Sequence, residues 1–352
     1  MAETLPSVRH LSAAHLSSDS RQRIELARKL RDAGPLAEEH SKILATQIGG
    51  DRRSAAMLFW MGEAGAQALA SQLGEDRDNL THRMAMTSLL ASGPTGVQAL
   101  HAALGGSDPL GRQNAAEALA MAGDLGSDAL VDRLKDPCDD VRLAAAWGLS
   151  RIPKLSRAAA LSLAEGLEDP AVRSFAVEAL SLRGDLGASA LATQLASEQQ
   201  EAQSVAASSL QKLGEVGARA AAEMLSHQSP AGRRRAAQVL ASMGPAASRA
   251  LAPSLRDKDG DLRRRAAEVL GRLGSAAAGE VKALSRLLED PNPYARISAA
   301  RSLRAEGLKE AASAAGVPEE RITAALNSRQ VPRKARRPRF ALSAACDSEA
   351  VD

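Results

Sequence analysis

GRRRAAQVLASMG at residues 232–244 and LRRRAAEVLGRLG at residues 262–274 are one segment met twice, thirty residues apart. An interval that regular marks a structural unit used repeatedly, and it organises the rest of the chain. The leucine closing each AAxxL string recurs at Leu119, Leu149, Leu180, Leu210, Leu240, Leu270 and Leu303, at intervals of 30, 31, 30, 30, 30 and 33. Backwards, Leu89, Phe59 and Leu30 continue the series with weaker matches, which gives ten units.

Seven residues before each anchor stand Arg23, Arg52, His82, Arg112, Arg142, Arg173, Gln203, Arg233, Arg263 and Arg296. Four residues after it a glycine usually follows, at Gly34, Gly93, Gly123, Gly184, Gly214, Gly244, Gly274 and Gly307, with Pro153 in its place once. Ahead of the Arg, the pairs Asp108-Pro109, Asp136-Pro137, Asp169-Pro170 and Asp290-Pro291 set a capping carboxylate before a first-turn proline, and the glycine supplies a left-handed stop. A first helix is thus bracketed, with Arg, Ala, Ala and Leu on one face. The pairs Leu130/Leu134, Leu163/Leu167, Leu191/Leu195, Leu251/Leu255 and Leu284/Leu288 mark a second helix after the glycine. One such αα-hairpin cannot bury its own apolar stripe, but ten stacked hairpins share a continuous core, so the expected fold is an all-α solenoid.

Composition agrees. Aromatic residues are 2% of the 352, too few for a core built on rings, and alanine allows helices to pack closely. The formal charge is +3, but the segment 327–352 holds six basic and three acidic residues, leaving 39 of each elsewhere. A neutral body lacks the field of a dedicated DNA-binding domain, so nucleic acid is not the expected ligand. Cys138 and Cys346 form neither a disulfide framework nor a zinc cluster, which points to a reducing compartment. No apolar run reaches membrane-spanning length. The expected organisation is an N-terminal extension at 1–20, a solenoid at 21–326 and a basic, proline-rich, disordered tail at 327–352. The expected compartment is intracellular, with the cytoplasm first. The tail leaves the nucleus open, and the Ser-rich start leaves a plastid or mitochondrion open.

At the level of these residues the chain resembles the HEAT-like repeat family in its short form, named after phycobilisome lyases, whose unit reads roughly D-P-x-V-R-x-x-A-A-x-A-L-G-x-x-G. DPAVRSFAVEALSLRGD at residues 169–185 and DPCDDVRLAAAWGLSRI at residues 136–152 carry the likeness, which extends over about residues 21–326. It implies about ten helix-turn-helix repeats whose second helices line the concave side. It also implies two enzymatic alternatives. One is an accessory bilin lyase or pigment-protein chaperone; the other is a degenerate relative of deoxyhypusine hydroxylase, which binds two irons through His-Glu pairs. Here His10, His15, His40, His82, His101 and His227 are none of them followed by Glu, so no metal and no cofactor is expected. A nucleic-acid-binding solenoid like the HEAT-like DNA glycosylases is a further alternative. No phosphate-binding loop, nucleophile elbow or zincin helix occurs. The leading expectation is a non-catalytic scaffold or adaptor for a protein partner whose identity the sequence does not give.

Four groups of residues are the candidates for that role. Arg112, Arg142, Arg173, Arg233, Arg263 and Arg296 recur at a core-facing position and are expected to form a structural ladder, each guanidinium reaching a carboxylate or helix-end carbonyl of a neighbouring unit. On the outward face of the second helices, Asp128/Asp132, Leu161/Glu165, Ser189/Thr193, Arg219/Glu223, Arg249/Pro253 and Lys282/Arg286 grade from acidic to basic, as would suit an extended protein partner of matching asymmetry or an ordinary solvated face. Trp147 occupies a position that is polar in most other copies, either as an exposed anchor or folded onto its neighbours. Arg234, Arg235, Arg264 and Arg265 are additions peculiar to two adjacent units and are expected to form a basic patch on the outer helices.

Overall fold

The computed structural model of this chain describes residues 19–48, 52–74 and 79–327. The expectations for the tail beyond Asn327 and for the N-terminal extension before Asp19 lie outside them. Helices are the only regular elements among the described residues, and these fall into two compact units that divide in sequence between Met243 and Gly244. In the first, helices alternate as α1 (Ser20–Arg31) and α2 (Pro35–Thr46), α3 (Arg52–Trp60) and α4 (Glu63–Ala70), α5 (Asn79–Ala91) and α6 (Pro94–Ala103), α7 (Pro109–Met121) and α8 (Asp124–Arg133), α9 (Asp139–Arg151) and α10 (Arg157–Glu165), α11 (Pro170–Ser181) and α12 (Gly184–Thr193), α13 (Gln200–Lys212) and α14 (Glu215–Glu223), then α15 (Pro230–Ala241). The second holds α16 (Pro245–Leu251), α17 (Gly260–Leu273), α18 (Val281–Arg286), α19 (Pro293–Leu303), α20 (Lys309–Ala314) and α21 (Glu319–Asn327). Within the first unit the odd-numbered helices pack on one another as one layer and the even-numbered helices as the other, the all-α solenoid that the repeat predicts.

The anchor leucines form the seam between the layers. Leu119, Leu149, Leu180 and Leu210 are fully buried, as are Ala115, Ala116, Ala145 and Ala146 beside the first two and Leu130, Leu163 and Leu191 opposite. Burying each leucine contributes roughly 1.5–3 kcal/mol, and the intervening alanines let the helices approach. In five repeats of the first unit two glycines set the hairpin. Gly184 takes φ +53°, a left-handed turn that costs other residues about 1–2 kcal/mol. Gly187, three residues on, is required by space: a Cβ there would stand 1.8 Å from the Leu180 carbonyl oxygen. This second glycine recurs as Gly65, Gly96, Gly126 and Gly217, each against the anchor carbonyl of its own repeat.

The structure corrects two details and accounts for a third. The anchor of the second repeat is Leu58 and not Phe59: Leu58 is fully buried, Gly62 with φ +66° follows it by four residues, and a Cβ on Gly65 would strike its carbonyl. The Arg position there belongs to Asp51, outside the described residues, instead of Arg52, so arginine fills seven copies.

Of the four Asp-Pro pairs, only two cap helices directly. Asp169 Oδ1 accepts from the Ala171 N–H at 2.9 Å and Asp108 accepts from those of Leu110 and Gly111, but α9 begins behind Cys138 and α19 behind Asn292. Asp136 and Asp290 instead accept from the Cys138 and Asn292 N–H groups at 3.0 and 2.8 Å, closing a turn ahead of the helix. The reason is spacing: Arg112 and Arg173 follow their Asp by four residues, Arg142 and Arg296 by six. Finally, the interval of 33 arises because a 3-10 stretch, Gly274–Glu280, precedes α18.

Where Pro153 replaces the glycine, another residue compensates. Ile152 leaves α9 in an extended conformation, and the Arg183 guanidinium donates to the carbonyls of Ser150, at 2.9 Å, and Ile152. Burial lowers the Arg183 pKa, and the nearby Glu178 opposes that shift.

Candidate functional site

Each ladder arginine reaches back to the turn that precedes its own helix. Arg112 Nη1 donates to the Gly106 and Ser107 carbonyls at 2.8 and 3.0 Å, Arg142 Nη1 to Asp136 at 2.8 Å, and Arg233 Nη1 to His227 and Gln228, both at 2.7 Å. Arg263 Nη1 reaches Asp257 and Lys258 at 2.7 and 3.1 Å, Arg296 Nη1 reaches Asp290 at 2.7 Å, and Arg173 Nε reaches Leu167 at 2.8 Å. Gln203, in the same position, donates Nε2 to Ser197 at 2.7 Å. Four of them also reach forward to the next repeat: Arg112 to Asp140 at 2.8 Å, Arg142 to Asp169 at 2.5 Å, Arg173 to Glu201 at 3.0 Å, and Arg263 to Asp290 through Nε at 2.6 Å and Nη2 at 2.8 Å. Burial would raise the Asp169 pKa, but the Arg142 guanidinium and the Ala171 N–H outweigh it and hold the carboxyl below its ordinary range. Asp136 is lowered too, first by the Cys138 N–H. Asp290 raises the Arg263 pKa against the effect of burial. Each of these guanidinia is engaged within the fold.

The outward face of the second helices is different. Between α10, α12 and α14 runs a groove of about 460 Å³ lined by Arg157, Leu161, Leu186, Ser189, Val216, Arg219 and Glu223. It brings together four of the outward positions read from sequence: Leu161, Ser189, Arg219 and Glu223. Arg157, Leu186 and Val216 were missed, although each lies three or four residues before a predicted position and so on the same helical face. Arg219 pairs across the groove with Asp185 at 2.5 Å, and both remain exposed. Asp128, Asp132 and Glu165 are exposed on α8 and α10, with Glu165 held by Lys135 at 3.2 Å. In the second unit Arg249, Lys282 and Arg286 are exposed on their own helices.

Trp147 is half-buried on α9, and the Arg151 guanidinium lies 5.6 Å from its ring centroid. Of the added arginines, Arg235 donates to the Leu195 carbonyl at 3.1 Å, Arg264 pairs with Glu268 at 2.7 Å, and Arg265 lies 4.0 Å from Asp261. Arg234 is exposed. Three of the four are therefore engaged inside their own unit. No group of three His, Cys, Asp or Glu side chains among the described residues is arranged to hold a metal ion. No helix among them is long and apolar enough to cross a membrane.

The family profile for HEAT repeats matches residues 66–150, 127–211 and 248–315. No curated protein sequence matches the chain. Among solved structures, an engineered protein is 20% identical with a TM-score of 0.29, covering 87% of this chain and 98% of that one. Human deoxyhypusine hydroxylase bound to glycerol is 22% identical with a TM-score of 0.28, covering 72% and 98%. The complex of CpcE and CpcF of phycocyanin lyase from a Nostoc species is 19% identical with a TM-score of 0.23, covering 75% and 94%.

Proposed function

This chain belongs to the HEAT-repeat family, and from that premise we propose that it is a non-catalytic scaffold that holds an extended segment of a protein partner against the even-numbered helices of its first unit. The observation that carries this reading is the groove across α10, α12 and α14. Its floor is apolar at Leu161, Leu186 and Val216, while Arg157, Arg219, Asp185 and Glu223 offer both signs of charge at the rim. An apolar floor supplies affinity, and a mixed rim fixes register and excludes mismatched partners. Three successive helices supply it, so a partner chain crosses several repeats, as elongated repeat surfaces allow.

The test is capture of a partner by the full chain and by a variant carrying Arg219→Glu with Glu223→Arg, followed by hydrogen exchange on the isolated complex. Protection at α10, α12 and α14, with affinity lowered at least about tenfold in the variant, supports the reading. A partner that protects other helices and binds the variant equally well refutes it.

A further inference from the structure

We propose that the groove between α3 and α5 is a second docking site, taking an acidic amphipathic helix of another protein. The site is separate from the groove of α10, α12 and α14. Because Leu58 occupies the anchor position, Phe59 and Trp60 lie one and two residues beyond it and turn away from the seam. Their rings meet edge to face with centroids 5.2 Å apart, and both are half-buried. Across from them α5 presents Met84 and Leu80, and Leu80 is 51% exposed. The cleft measures about 700 Å³, inside the roughly 300–1,000 Å³ range typical of ligand clefts. Apolar side chains spaced along one face of a helix fill such a cleft.

Charge selects the occupant. Arg52 and Arg83 line the groove and are exposed, and Arg28 stacks on Trp60 at 4.9 Å from the ring centroid. Neither α3 nor α5 contains an Asp or Glu, whereas every other adjacent pair of odd-numbered helices in the first unit includes at least one, from Glu25 in α1 to Glu201 in α13. A helix with an apolar stripe flanked by carboxylates would set its charges against Arg52 and Arg83 and its stripe against Phe59, Leu80 and Met84. Nucleic acid fits less well. Two rim guanidinia give little phosphate-tracking charge, and the Met84 and Leu80 side of the cleft offers no ring for a base to stack on.

The probe is a display library of helical peptides of about four turns, with the apolar stripe fixed and the polar face varied among Glu, Gln and Lys. It is panned against the full chain carrying Trp147→Phe, so that Trp60 is the sole indole. The expected winners are rich in Glu, shift Trp60 emission to the blue, and bind at least about tenfold more weakly to Arg83→Glu and to Leu80→Asp. Arg83→Gln, which cannot repel the peptide, should weaken binding less than Arg83→Glu. Circular dichroism melts establish that each variant is folded. The proposal is overturned if nothing is enriched, if Lys-rich peptides win, or if the folded variants bind equally. It is also overturned if a labelled single-stranded oligonucleotide outcompetes the peptides at about 0.15 M salt, or if self-association of the chain occludes Trp60. Peptide binding here and partner capture by α10, α12 and α14 are lost through different substitutions, so either reading can fail alone.

Discussion

Replacing Arg263 with alanine should destabilise the second unit far more than removing an equally close surface pair. In the native structure its side chain is 13% exposed and that of Asp290 only 4%, and two guanidinium nitrogens meet the carboxylate at 2.6 and 2.8 Å. Truncation leaves Asp290 buried with the Asn292 N–H, at 2.8 Å, as its remaining partner. Stranding a buried charge in this way costs about 3–5 kcal/mol. The carbonyls of Asp257 and Lys258 lose a donor as well, but both residues are exposed and water replaces it. The internal control is Arg321→Ala, which breaks a 2.6 Å pair with Glu289 whose side chains are 44% and 75% exposed; that loss should be at most about 1 kcal/mol. Urea unfolding of the full chain, followed by circular dichroism, measures both, and a double-mutant cycle with Asp290→Ala isolates the pair. Its coupling should reach about 1.5–3 kcal/mol. A loss below about 1 kcal/mol for Arg263→Ala, or a coupling below about 0.5 kcal/mol, would refute the argument that the ladder joins successive repeats.

Other consequences are as direct. Gly187→Ala must push α12 away from α11 and should cost about 3 kcal/mol or more, read as a lowered unfolding midpoint; Gly184→Ala, which meets nothing within 4 Å, should cost only the turn, about 1–2 kcal/mol. Burial, then Arg133, lowers the His101 pKa, so the unfolded chain takes up that proton first. The associated stability is present above about pH 6.5 and declines as pH falls toward the depressed folded value. His101→Gln should flatten the stability profile between about pH 7 and 5, and an unchanged slope would contradict this assignment. With Trp60→Phe in place, Arg151→Ala should make Trp147 more accessible to iodide quenching; unchanged quenching would mean that Arg151 does not cover the ring.

The repeat was legible because its residues are set by local geometry: a leucine at the seam, a left-handed glycine and a turn-closing or capping polar residue recur in most copies. The slip at Leu58 was harder to read, since AAMLFW offers adjacent apolar residues for the anchor position, and only the count back from Gly62 separates them. The second glycine was obscured because Ala37, Ala247 and Ala277 stand at the same position in other copies. Arg183 acts on Pro153's repeat from the next one, a pairing fixed by packing rather than by local pattern. The outward charges were readable individually. Their joining into a groove with Leu186 and Val216 depends on how three helices align, and the α3/α5 cleft depends on the slip itself.

The central claim is that the face of α10, α12 and α14 holds a protein segment. Hydrogen exchange of the full chain with its captured partner, compared residue by residue with the free chain, measures that most directly. A bound segment should bring new protection centred on the helices carrying Leu161, Leu186, Val216 and Arg219, and that protection should be lost in the charge-swapped variant. Protection confined to other helices, with the exchange of these three unchanged, would contradict it.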